Sequence, residues 1–284
     1  MRWDQGHDSP DVQDNRGQGG GGLGGLGGLI GILPFLLRSP IGWVILILGV
    51  GFYFCSGALS GTHGLHSGGK GGTQATDEQK HFVAFVLDDT QATWTKTFQA
   101  RGATYRHAKL VLFTDSINTG CGYGQSATGP FYCPNDEKVY IDLGFFQELE
   151  GQLGAKGDFA KAYVIAHEIG HHVQKQLGVS DKVGEQPSKG ETGSSVRLEL
   201  QADCFAGVWA HSTGERNILE NGDIDSALSA TKAIGDDRLQ QMENGTVSPE
   251  KWTHGSSAER TRWFTRGYDK GTIEACDTFG ASSL

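Results

Sequence analysis

Positive charge is in short supply in this chain: 24 Lys and Arg stand against 33 Asp and Glu, a formal net charge of -9. A phosphate backbone is held by clustered Lys and Arg, so nucleic acid is not an expected partner. Collagen-like order is also missing. Glycine is abundant at 44 residues, yet "GQGGGGLGGLGGLIG" from Gly17 to Gly31 repeats GGL only three times, carries no proline and reads as a low-complexity arm. Cysteine is scarce, with five in 284 residues, and the odd one out, Cys55, lies inside an apolar run. What remains is enough for one folded body of about 200 residues with appendages.

The apolar run is "IGWVILILGVGFYFCSGAL", Ile41 to Leu59, nineteen residues without a formal charge. At 1.5 Å per helical residue it matches a hydrocarbon core of about 30 Å. A buried core helix and a cleaved signal peptide are the alternatives. Glycine-rich flanks disfavour the first, and about 40 preceding residues are too long an n-region for the second. Arg38, with Arg2 and Arg16 upstream, places the N-terminus in the cytoplasm and the body in the periplasm or outside the cell. The expected organisation is a disordered arm over 1–40, a single transmembrane anchor over 41–59, a flexible linker over 60–76 and a folded domain over 77–284. Cys121, Cys133, Cys204 and Cys276 then form an even set in an oxidising compartment. Connectivity is not fixed by sequence. Pairing of Cys121 with Cys133 across their short loop is the cheaper choice, which leaves Cys204 with Cys276, and four buried thiols are the alternative.

Helical spacing of Phe82, Phe85, Val86, Trp94 and Phe98 predicts a helix over Asp77–Ala100, and Gly102 stops it. Ala108–Asp115 and Lys138–Leu143 read as strands. In "YVIAHEIGHHVQKQLG", Val164, Ile165, Ile169, Val173 and Leu177 make an apolar stripe ending at Gly178. A further helix is predicted over about Ser194–His211, with serines at its cap, and its small residues Ala206 and Ala210 would let another helix approach closely.

Residues 167 to 171, "HEIGH", fit H-E-x-x-H. Residues four apart project from one helical face, so His167 and His171 can reach one zinc ion, with Glu168 beside the open position as general base. Zinc acidifies a coordinated water and polarises a carbonyl, which is the chemistry of hydrolysis. A catalytic site needs a third protein ligand. Glu199 in "ELQAD" is the candidate, with Asp203 one turn on receiving the outer N–H of a ligating histidine. Alone, the two acids would read as a solvated helical face. His172, turned about 100° from His171, is assigned a structural role.

"HEIGHH" followed by "ELQADCFAGVWA" resembles the bacterial family of "putative neutral zinc metallopeptidases", a gluzincin-type branch of the zincins with HExxH followed by ExxxD. "CGYGQSATGPFYCPNDEKVYIDLGFF" and "HGSSAERTRWFTRGYDKG" extend the likeness over most of the body, as does the glycine-rich arm with its anchor. The resemblance implies an α+β, mostly helical zincin-like domain with a small sheet. It implies a Zn²⁺ cofactor held by His167, His171 and Glu199, Glu168 as base, Asp203 as helper, and a peptide or protein substrate. An edge strand pairing with substrate is expected at Lys138–Leu143, and His254 is a candidate for stabilising an oxyanion. A catalytically silent zinc-bearing scaffold of the envelope, or a zinc amidase acting on cell-wall peptides, are the competing functions.

Overall fold

The computed structural model describes residues 1–17, 70–184 and 187–284. In chain order the elements are strand β1 (Val12–Asp14), helix α1 (Lys70–Ala100), and strands β2 (Lys109–Phe113), β3 (Ser116–Thr119), β4 (Gly122–Gln125), β5 (Phe131–Cys133) and β6 (Lys138–Asp142). Helices α2 (Gly144–Gly151), α3 (Asp158–Gln176), α4 (Val179–Val183), α5 (Ser194–Glu215), α6 (Asp223–Ala233), α7 (Asp236–Asn244) and α8 (Ser257–Lys270) follow. The body is α+β, mostly helical with a small sheet.

Alternation along "KLVLF" and "KVYID" sends side chains to both faces of the sheet. Leu110, Leu112, Val139 and Ile141 join the main helical core, while Val111, Phe113, Tyr140 and Cys133 form a second cluster on the other face, with Ile117 and Phe131 packed against it. The sheet runs β1-β2-β6-β5, parallel except for β5. The hairpin β3–β4 forms its own two-stranded sheet. Lys138–Leu143 therefore does not provide an edge: β6 lies between β2 and β5, and the edge strands of this sheet are β1 and β5. Local composition marks a strand but not its rank in the sheet. Both cysteine pairs are disulfides, Cys121 with Cys133 and Cys204 with Cys276.

The N-terminal arm also needs correcting. Residues 1–17 and 75–284 form one compact unit. Val12, Gln13 and Asp14 pair with Leu110, Val111 and Leu112, satisfying backbone groups on β2 that would otherwise form an open edge. Trp3 meets Phe82 edge-on at 5.3 Å, and Gln91 donates a hydrogen bond to Asp11 at 2.9 Å. A single membrane crossing between residues 17 and 75 would put two strands of one sheet on opposite sides, so a cytoplasmic N-terminus with an exported body is incompatible with this pairing. The expected linker is also shorter, since α1 begins at Lys70. The anchor at 41–59 lies outside the described residues, among which no helix is long and apolar enough to cross a membrane.

Helix α3 is buried on nearly every side, and Gly178 just beyond it adopts φ 69°. Helix α5 starts after Gly193 rather than at a capping serine, because a Cβ at 193 would lie 2.3 Å from the Ser188 carbonyl oxygen. Helix α8 has a full capping box between Ser256 and Glu259. Its close approach to α5 is made at Gly207 and Gly267, where any Cβ would collide with the facing backbone.

Candidate metal centre

Helix α3 carries two histidines on the face that meets α5, and the distance between the helices is set by a glycine. A Cβ on Gly170 would sit 2.9 Å from the Ala202 carbonyl oxygen and 3.0 Å from its Cα. This contact lets Glu199 and Asp203, on either side of Ala202 in sequence, reach His167. The Nε2 of His167 is 3.1 Å from Glu199 Oε2, and the Nε2 of His171 is 3.4 Å from Oε1. One ligand atom from each of His167, His171 and Glu199 lies within 4.8 Å of the others, a group able to hold a metal ion.

Both imidazoles use the opposite nitrogen for support. The Nδ1–H of His167 donates to Asp203 Oδ1 at 2.8 Å, since a carboxylate can only accept, and its Nε2 faces Glu199, where a metal ion would take the place of the second proton. His171 Nδ1 lies 2.9 Å from Gln174 Oε1. Asp203 is fully buried, and its Oδ1 also accepts from the Tyr163 hydroxyl and from Arg260, the latter at 3.0 Å. Arg260 is 2% exposed, and its positive charge balances a carboxylate that burial would otherwise penalise.

Burial works against a charged His167 ring, but Asp203 and Glu199 outweigh it and push its pKa up to about 10. His171 is likewise raised, with burial opposed by Glu199. Burial would raise Glu199, yet the histidines around it, His171 foremost, hold its carboxyl well below the ordinary range. The place where two Nε2 atoms and one carboxylate converge therefore favours positive charge, and the donor set suits zinc.

Glu168 is 7% exposed, and burial raises its carboxyl above the ordinary value despite the nearby His167 and His171. Its side chain has no hydrogen-bond partner among the described residues and lines a cavity of about 670 Å³. The same cavity is lined by His167, His171, Glu199, Arg260 and His254, and by apolar side chains including Phe145, Leu153, Val164, Ile234 and Leu239. His254 reaches it from the loop before α8, and its Nδ1 lies 3.2 Å from Asp236 Oδ1. Asp236 is anchored in turn, accepting the backbone N–H groups of Thr253, His254 and Gly255. His172 sits apart, with Nδ1 against the Tyr132 hydroxyl at 3.0 Å and Nε2 on the Arg106 carbonyl at 2.7 Å, a structural role as expected.

All six residues singled out from the sequence thus line the cavity or directly support a residue that does. Sequence reasoning missed Gln174, Asp236, Tyr163 and Arg260. Gln174 could have been found, since it falls three residues after His171 on the same helical face. Tyr163, four residues before His167 on the same helix, could have been found in the same way, and nothing local marks Asp236 or Arg260.

The sequence model of the family described as "Putative neutral zinc metallopeptidase" matches residues 1–279. The uncharacterized protein YpfJ of Escherichia coli strain K12 is 45% identical over 292 residues, 99% of this chain and 100% of that protein. The uncharacterized protein Rv2575 of Mycobacterium tuberculosis strain H37Rv is 49% identical over 191 residues, 63% of this chain and 65% of that protein. No solved structure matches closely enough to carry a comparison.

Proposed function

The chain belongs to the family described as "Putative neutral zinc metallopeptidase", and from that premise we propose that it hydrolyses peptide bonds at a zinc ion held by His167, His171 and Glu199. The observation that carries the reading is the convergence of these three ligand groups beside an unpaired, buried Glu168. Bound zinc supplies a Lewis acid for the scissile carbonyl and brings the pKa of a coordinated water to about 7. Glu168 takes the proton from the attacking water and delivers it to the leaving amine. His254, its Nδ1 held by Asp236, directs Nε2 to the oxyanion. The outer edge of β5, adjoining the cavity through Phe131 and Tyr132, offers main-chain groups to an extended peptide. The apolar side of the cavity favours a hydrophobic substrate side chain.

Two disulfides support an oxidising compartment for the body. Attachment through the apolar run 41–59 is compatible with the β1–β2 pairing only where the chain returns to the side it left.

Metal analysis with peptide-library cleavage tests the function. Wild type is expected to bind zinc and cleave. Glu168→Gln should keep zinc and lose about 10²–10⁴-fold in kcat, and His254→Ala should keep zinc and lose about 10²–10³-fold. A protein that binds zinc but cleaves no peptide would leave the scaffold reading standing, and cleavage confined to cell-wall peptides would favour the amidase. Absence of zinc binding at micromolar concentration would overturn the metal assignment itself.

A further inference from the structure

The two histidines of the cluster are supported by different chemistry. His167 leans on the carboxylate of Asp203, which Arg260 neutralises. His171 leans on Gln174, a neutral amide that is fully buried. An amide can present either its oxygen or its nitrogen, so support of this kind works only where something else sets its direction.

That direction is set by a chain of acceptors. Gln174 Nε2 donates to the Leu198 carbonyl at 2.6 Å and to Gln201 Oε1 at 3.2 Å. Gln201 Nε2 donates in turn to the Cys276 carbonyl at 2.9 Å. Backbone carbonyls only accept, so each amide must turn its NH₂ toward them. Gln201 is thereby left with its oxygen toward Gln174, and Gln174 with its oxygen toward His171. Nδ1 of His171 must then carry a proton, so Nε2, on the Glu199 side, is the nitrogen left for a metal ion to take. The far end is covalently secured, because buried Cys276 is bonded to Cys204 of α5.

We propose that Gln174, oriented by Gln201 and through it by the carbonyl of disulfide-bonded Cys276, is the positioning residue that fixes the His171 tautomer for metal binding. The inference rests on the reading that this cluster holds a metal. A neutral partner has a physical advantage here. Glu168, Glu199 and Asp203 already crowd the centre with carboxylates, and a fourth would add repulsion, whereas an amide fixes the ring without charge. Outer partners of this kind typically govern metal affinity by about 10–100-fold.

The test uses the purified full-length chain. Zinc affinity is measured by competition with a chromophoric chelator for wild type, Gln174→Met and Gln201→Met. Gln174→Met, which keeps the volume and removes the acceptor, is expected to bind zinc about 10–100-fold more weakly. Gln201→Met leaves the acceptor in place but loosens it, and its loss should be smaller. Zinc affinity in Gln174→Met within about twofold of wild type would overturn the proposal, since the typical effect of such partners is far larger. A measurement on wild type alone guards against misfolding of the variants: ¹⁵N NMR of the imidazoles should show His171 coordinated through Nε2 with Nδ1 protonated. In zinc-free protein with the ring neutral, it should show the Nδ1–H tautomer. Coordination through Nδ1, or an Nε2–H tautomer, would sink the assignment. Failure of wild type to bind zinc would instead remove the metal reading, while the zinc-free tautomer still decides the role of Gln174.

Discussion

Asp203 gathers three donors on one oxygen, from Tyr163, His167 and Arg260, while its Oδ2 is buried without a hydrogen-bond partner among the described residues. Asp203→Asn would leave the Arg260 cation buried and unpaired, a change expected to cost about 3–5 kcal/mol. It would also release the His167 ring, so zinc affinity should fall about 10–100-fold. Urea unfolding of the zinc-free protein and a chelator competition read the two effects separately. Far from the centre, Asp11 ties residues 1–17 to the body. Burial alone would raise its carboxyl, but hydrogen bonds from Lys109, His107 and Gln91 hold it below the ordinary value. A depressed carboxyl contributes stability above its unfolded pKa of about 3.9 and loses it as pH falls through the lower folded value. The stability lost in Asp11→Asn at neutral pH should therefore shrink toward zero in strong acid, and unfolding across a pH series would show it. A difference that persisted unchanged in strong acid would remove the carboxylate's charge as its source.

Helices α3 and α5 owe their approach to Gly170, which faces the backbone of Ala202. Gly170→Ala cannot be accommodated by a side-chain rotation, because the facing atoms are main chain. The expected cost is about 1–3 kcal/mol in stability. Separation of the helices also draws Glu199 and Asp203 away from His167 together, so zinc affinity should fall alongside the melting temperature. An unchanged affinity would show that the spacing is not critical to the site. At this scale the sequence was legible where a pattern repeats. The apolar stripe Val164, Ile165, Ile169 and Val173 is buried as spacing predicted. It was illegible where the deciding contact is with a distant backbone. Gly193, rather than a serine, precedes α5, and α5 and α8 approach closely at Gly207 and Gly267, where each helix meets the other's backbone.

Across the whole molecule, residues 1–17 complete the sheet of a body that resumes at residue 75. Both parts should therefore share one compartment. Cysteines introduced at exposed positions Gln5 and Glu220 are expected to react alike with a membrane-impermeant thiol reagent in intact cells. Protection of one but not the other would restore a single crossing and contradict the pairing of β1 with β2. On its own the sequence determined the helix bearing His167, Glu168 and His171, and the face carrying Glu199 and Asp203, because helical period alone places residues four apart together. The disulfide partners were its cheaper option rather than its conclusion. Only the tertiary structure decided that β1 and β5 are the edge strands, that "VQD" is a strand at all, and that Asp236 and Arg260 support the candidate centre. Strand order and the partners of a buried polar group are set by which distant segments must satisfy one another's hydrogen bonds once water is excluded, and no local period records that choice.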